Sequence, residues 1–341
     1  MSTLWFLILG GMLIAFAVLD GLNLGTGAMH LILGKNNDER RVHLASVGPV
    51  WFGYEVWLLA AGGSMVSAFP DLYAKSFSGF YIVLNIVLWL LIVRGTSIEF
   101  RQQVDNDMWR NFWDACYSVS SILLAVFFGA AVGNVFRGVP FIGTTGTFIG
   151  SLGLALNPYA ILVGVLSLVY LAMHGSLFLA VKSGIDEHRD RARKYAGVIY
   201  AIVVVVALLT TGASFLVRPD LLGNFTRWPV LFLIPLLSIA GFVGIGVSLR
   251  KKNDIQALYS SAAALVGLMG SAGASLYPNL LPNLGQATGG LTIANTAAPE
   301  ANLIVAGVIN IVGTVIVILY AVYVHKIFSG RVELKDADHA Y

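Results

Sequence analysis

Charge is scarce in this chain. Only 11% of its 341 residues are Asp, Glu, Lys or Arg, 57% are hydrophobic, and the mean hydropathy is +0.79. Soluble domains carry about 25% charged residues, so a soluble fold is excluded. Cysteine is scarcer still: Cys116 stands alone, which rules out an internal disulfide or a thiolate metal cluster and says nothing about compartment. No HExxH or CxxC spacing, phosphate-binding glycine loop or Ser/His/Asp set occurs, leaving hydrolysis without candidates and the metal-site prediction at none. Of six histidines, His325 sits at the end of an apolar run and only His30 and His174 fall well within one. A membrane haem needs axial ligands facing one another across helices, and these two read as core histidines in preference to a ligand pair. Neither an internal repeat nor a low-complexity segment is visible, and residues 1–341 read as a single integral membrane domain.

What the chain does have is runs of roughly 20 apolar residues, the length that spans a bilayer core. They lie at about 4–33, 48–69, 75–97, 113–135, 157–181, 196–217, 228–249, 256–277 and 301–328, predicting an all-α membrane protein of nine transmembrane helices. The first run is no cleaved signal, because it lacks a basic leader and contains Asp20. Basic residues set the orientation. All but Lys75, Arg137, Arg218 and Arg227 of the 21 Lys and Arg fall in one alternate set of loops, among them Arg40, Arg101, Arg110, Arg191, Arg250 and Lys335. The positive-inside rule puts that set in the cytoplasm, the N-terminus outside and the C-terminus inside. The net charge of +3 follows from this asymmetry and implies no nucleic-acid partner. The longest outer loop, about 277–300, is rich in Pro and Gly and reads equally as a partner surface or a free loop.

Ionisable residues inside the runs need a reason, since a carboxylate at membrane depth costs at least about 2.5 kcal/mol on insertion scales. Asp20 falls near the middle of the first helix, Glu55 in the inner half of the second and His174 in the inner half of the fifth. Polar groups therefore thicken toward the cytoplasmic side, as a proton-uptake path would require. For Asp20 and Glu55 a second reading stands beside it: carboxyls that pair with an arginine and hold helices in register. Arg94, Glu99, Arg101 and Asp114 read as structural or interfacial charge, with Glu99 and Asp114 in salt bridges. Tryptophans punctuate the span ends as interfacial anchors, and Trp51 and Trp57 are the candidate contacts for a quinone or a lipid tail. Gly21 and Gly25 form a small-xxx-small step suited to close helix packing.

Segments in order along the chain resemble subunit II of the cytochrome bd-type quinol oxidases: DGLNLGTG (20–27), GPVWFGYEVWLL followed by GG and AFP (48–70), FSGFY (77–81), RG with EFR (94–101), WRNFWD (109–114), GNVFRGVPF (133–141), LNPY (156–159) and HGSLFLAVKSG (174–184). The resemblance implies a helical-bundle subunit of nine helices, itself haem-free, in the bacterial or archaeal cytoplasmic membrane. Its partner, subunit I, would carry haem b and haem d and the quinol site and reduce O2 to water, with a small accessory subunit and membrane lipid as further neighbours. This chain would brace subunit I and contribute to proton uptake, with no catalysis of its own. Its alternatives are a purely structural assembly subunit and, well behind, a stand-alone secondary transporter. The chain departs from the family pattern: the acid of its W-D-G-N is Phe52, the asparagine of that motif is Tyr54, and the second acid of D-G-F-D is Asn23. Of the proton-route acids, only Asp20 and Glu55 carry over.

Overall fold

The computed structural model describes residues 1–141, 150–284 and 290–333; Lys335 and His339 lie outside them. The chain is helical almost throughout: α1 (Ser2–Leu33), α2 (Asn37–Val47), α3 (Trp51–Ala68), α4 (Pro70–Gly79), α5 (Tyr81–Phe100), α6 (Asp107–Arg137), α7 (Leu152–Ala155), α8 (Pro158–Lys182), α9 (Asp186–Val217), α10 (Gly223–Arg227), α11 (Leu233–Arg250), α12 (Asp254–Leu276) and α13 (Glu300–Ile327). A short antiparallel pair, β1 (Asn279–Leu281) and β2 (Leu291–Thr292), precedes α13. The polar residues that interrupt the apolar runs start the helices. Asn36, Asn106, Asn157 and Asn253 each cap with their side-chain oxygen, and Pro158 supplies the first turn of α8, where no N–H is needed.

Among the described residues, eight helices are long and apolar enough to cross a membrane. The expected count of nine is reached only if α2 and α3, bent by 45° about residues 48–50, are one span. The cause lies in the sequence: Pro49 has no N–H to continue a helix, and α3 dilutes its apolar residues with Glu55, Tyr54, two Trp and three Gly. The expected third run, 75–97, is likewise broken at Phe80, where α4 hands over to α5.

At the centre, α1 packs against α8, α6 and α3, and α6 against α8 and α5. Gly25 makes the α1–α8 approach feasible, because a Cβ there would overlap the Leu171 carbonyl oxygen, and Gly175 meets the Gly25 backbone from the α8 side. The 32 residues of α1 measure about 48 Å at 1.5 Å per residue, more than a hydrocarbon core, so one end of it projects into a layer of charge. There its C-terminus meets α2 and the N-termini of α6 and α9, and Val332 donates to the Lys182 carbonyl at the end of α8. At the opposite end, the described parts of the 277–300 loop are not free: Leu280, Leu281, Leu291 and Ile293 are buried in a cluster with Trp5, Phe16 and Trp57. Val139, after the positive-φ Gly138, pairs with that loop through Pro282 and Leu284.

Candidate functional site

Three helices bring one arginine and two acids together in the apolar interior. Arg94 of α5 is fully buried and donates from Nη1 to Asp20 Oδ2 at 2.7 Å and from Nη2 to Glu55 Oε1 at 2.8 Å. Asp20 of α1 is also fully buried, whereas the Glu55 side chain of α3 is 17% exposed. Asn23 Nδ2 donates to the second Asp20 oxygen at 3.1 Å, and the Tyr117 hydroxyl of α6 donates to Asn23 Oδ1 at 3.0 Å. Asn23, where the family pattern has an acid, therefore works as a donor to Asp20. Trp51 packs over Gly95, covering the backbone next to Arg94. With both acids ionised, the trio carries one uncompensated negative charge. A single proton held by the carboxyl pair neutralises it.

A second cluster lies one level nearer the charged end. Asp114 of α6 accepts from His30 Nε2 at 2.7 Å, from Arg40 Nη1 at 3.0 Å and from Arg101, whose Nη2 lies 3.1 Å from Oδ2. From His30 a chain of imidazoles runs outward, His30 Nδ1 to His43 Nδ1 at 3.1 Å and His43 Nε2 to His188 Nε2 at 2.7 Å. A carboxylate only accepts, so His30 Nε2 carries a proton; in neutral rings His43 then donates to His30 and His188 to His43. The outermost atom, His188 Nδ1, is left as an acceptor, buried and without a partner among the described residues. Two guanidiniums already face the one carboxylate of Asp114, so a further proton there is opposed. This cluster is a joint that ties α1, α2, α6 and α9. The edge of Tyr117 meets His30 at 5.2 Å between ring centroids and connects the joint to the upper trio.

The remaining expected site residues fall elsewhere. His174 is buried with Nδ1 on Ser261 Oγ at 2.8 Å and Nε2 on the Val18 carbonyl at 3.2 Å; it shares no hydrogen bond with Asp20 or Glu55 among the described residues. Asp114 and Arg101 pair with each other. Glu99 makes no salt bridge among the described residues: it precedes Arg101 by two helical positions, which point apart. Trp57 is 9% exposed within the Trp5–Phe16 cluster, and so is not an interfacial anchor. Sequence reading missed His43 and His188, taken as loop residues, and Arg40.

No group of three or more His, Cys, Asp or Glu side chains among the described residues forms a metal site. Both ring nitrogens of His30, His43 and His174 are occupied by protein partners, so these residues do not fit axial haem ligation.

Fold and buried charge together define a polytopic helical membrane subunit built around ion-paired acids. The family model described as cytochrome bd terminal oxidase subunit II matches residues 1–328. The chain is 31% identical to the "Probable cytochrome oxidase subunit 2" of Haemophilus influenzae, covering 98% of this chain and 96% of that protein. It is 31% identical to the "Cytochrome bd ubiquinol oxidase subunit 2" of Bacillus subtilis (98% and 97%) and 28% identical to the "Cytochrome bd-I ubiquinol oxidase subunit 2" of Escherichia coli K12 (98% and 96%). A chain in the structure of bd oxidase from Geobacillus thermodenitrificans superposes with a TM-score of 0.79 at 18% identity, over 96% of this chain and 98% of that one, which establishes the shared fold. The chain belongs to the cytochrome bd terminal oxidase subunit II family, and is a membrane subunit of an oxidoreductase complex. These relatives are bacterial, and none supports an archaeal setting.

Proposed function

We propose that this chain is the haem-free second subunit of a bd-type quinol oxidase, bracing a haem-bearing subunit I and holding an exchangeable proton between Asp20 and Glu55. The observation that carries this reading is the sharing of one guanidinium by two carboxyls, one of them partly exposed. Arg94 keeps the pair ionisable inside the bilayer, and the charge left over is one that a proton from solution neutralises. That His30, His43 and His174 each have both ring nitrogens engaged by protein partners supports placing haem b and haem d in the partner. The Arg-rich end, where Arg40, Arg101, Arg191 and Arg193 meet Asp114, Glu39 and Asp254, is the cytoplasmic side, so protons consumed in forming water are drawn from the cytoplasm. When bound in the complex, the haems supply the electron transfer to O2; this chain's residues bind, orient and move protons.

A structural reading is favoured by one specific observation: Arg94 ties α1, α3 and α5 at once. The two readings part in the purified complex. Oxygen consumption is measured in Glu55→Gln and Asp20→Asn together with haem spectra and subunit I content. The proton reading predicts slowed turnover in a spectrally intact complex. Loss of haem or of subunit I in parallel with activity leaves assembly alone, and full turnover in both variants removes the proton role.

A further inference from the structure

We infer that His325 and Tyr54 form the mouth through which the Asp20–Glu55 pair exchanges protons with solution, an inference that rests on the proton-holding role proposed above. Tyr54 of α3 is 3% exposed, immediately precedes Glu55, and lies within electrostatic reach of Asp20. Its hydroxyl is 2.9 Å from Nε2 of His325, an exposed residue two positions from the end of α13. The histidine's other nitrogen, Nδ1, lies 2.9 Å from the Ala321 carbonyl oxygen. A carbonyl only accepts, so Nδ1 carries a proton, and in the neutral ring Nε2 is the acceptor that faces Tyr54. The pair is thus an exposed base joined to a buried hydroxyl beside a site with unbalanced negative charge.

The transfer balances in two concerted moves. His325, protonated at Nε2 from solution, gives that proton to the Tyr54 oxygen, while Tyr54 releases its own hydroxyl proton to a water that passes one on to the carboxyl pair, since among the described residues its hydroxyl bonds to His325 and not to Asp20 or Glu55. His325 returns to neutral with its Nδ1–H still on Ala321. Phe52, standing where the family pattern has an acid, is 69% exposed on the opposite side of the turn and takes no part. The histidine chain does not serve the same end, because it terminates on a carboxylate already clamped by Arg40 and Arg101.

The test uses the two-subunit oxidase in proteoliposomes, with oxygen consumption and dye-reported proton uptake compared in His325→Ala, Tyr54→Phe and Glu55→Gln. His325→Ala is expected to slow proton uptake and turnover by about a hundredfold, the lower end of the 10²–10⁴ range that positioned acid–base groups supply. Imidazole in the buffer should restore it, since the site is exposed; Tyr54→Phe should be slow and unresponsive to imidazole. Parental rates in His325→Ala and Tyr54→Phe with a slow Glu55→Gln overturn the inference and leave the proton-holding role standing. A fully active Glu55→Gln overturns both. Should Tyr54→Phe fail to assemble, His325→Ala decides alone: rescue supports the mouth, and a slow variant that imidazole does not restore rejects it.

Discussion

Replacing Arg94 by Met removes the one cation that, among the described residues, pairs with both acids. The side chain is fully buried and donates at 2.7 and 2.8 Å. Truncating one partner of a buried ion pair costs about 3–5 kcal/mol, chiefly because the other charge is left stranded. That cost falls mainly on Asp20, which has no exposed surface, whereas Glu55 keeps some access to solvent. The assay is denaturant unfolding of the detergent-solubilised complex, followed by helical signal and by retention of the partner subunit. Asp20→Asn in the Arg94→Met background removes the stranded charge and should recover most of the loss, giving a strong coupling energy in the double-mutant cycle. An Arg94→Met complex as stable as the parent, or a double variant no better than the single one, would refute the account of the trio.

Three further outcomes are expected. His43→Leu strands His30 Nδ1 and His188 Nε2 at about 1–3 kcal/mol per orphaned nitrogen and should raise amide exchange at the ends of α1, α2 and α9, while His43→Gln, which can both donate and accept, should lose less. Gly25→Ala forces the α1 and α8 backbones apart and should lower stability by about 1–3 kcal/mol, as overpacking does, with Gly273→Ala, open to space, as the neutral control. Outside the spans, the hydrogen bond from Arg218 holds the Asp220 carboxyl below its ordinary value of 3.8. A depressed folded pKa means that this contribution to the 218–222 turn is present above that value and is lost as pH falls through the lower, folded one. Amide exchange at Leu221 and Gly223 should therefore rise only under acid, and Arg218→Gln should abolish the step.

Much of this was legible in the residues, and the rest has physical reasons for escaping. Asp20 and Glu55 stood out because acids inside apolar runs are costly, but their common partner did not, since which face of α5 carries Arg94 depends on packing against α1 and α3. His43 and His188 sit in polar windows where histidine is ordinary; only the fold closes the 145 positions between them. The break at 48–50 was written in Pro49, yet hydropathy averages across it. Glu99 was expected in a salt bridge, and its cationic neighbour two positions on, Arg101, points away from it along the helix. Tyr54, read as a departure from the family pattern, became informative once α13 placed His325 against it.

The central claim is that the carboxyl pair holds and releases a proton during turnover. An infrared difference spectrum of the complex, oxidised minus reduced, addresses it most directly. The account predicts a protonated-carboxyl band that Glu55→Gln or Asp20→Asn removes or shifts. A spectrum unchanged in both variants would contradict it.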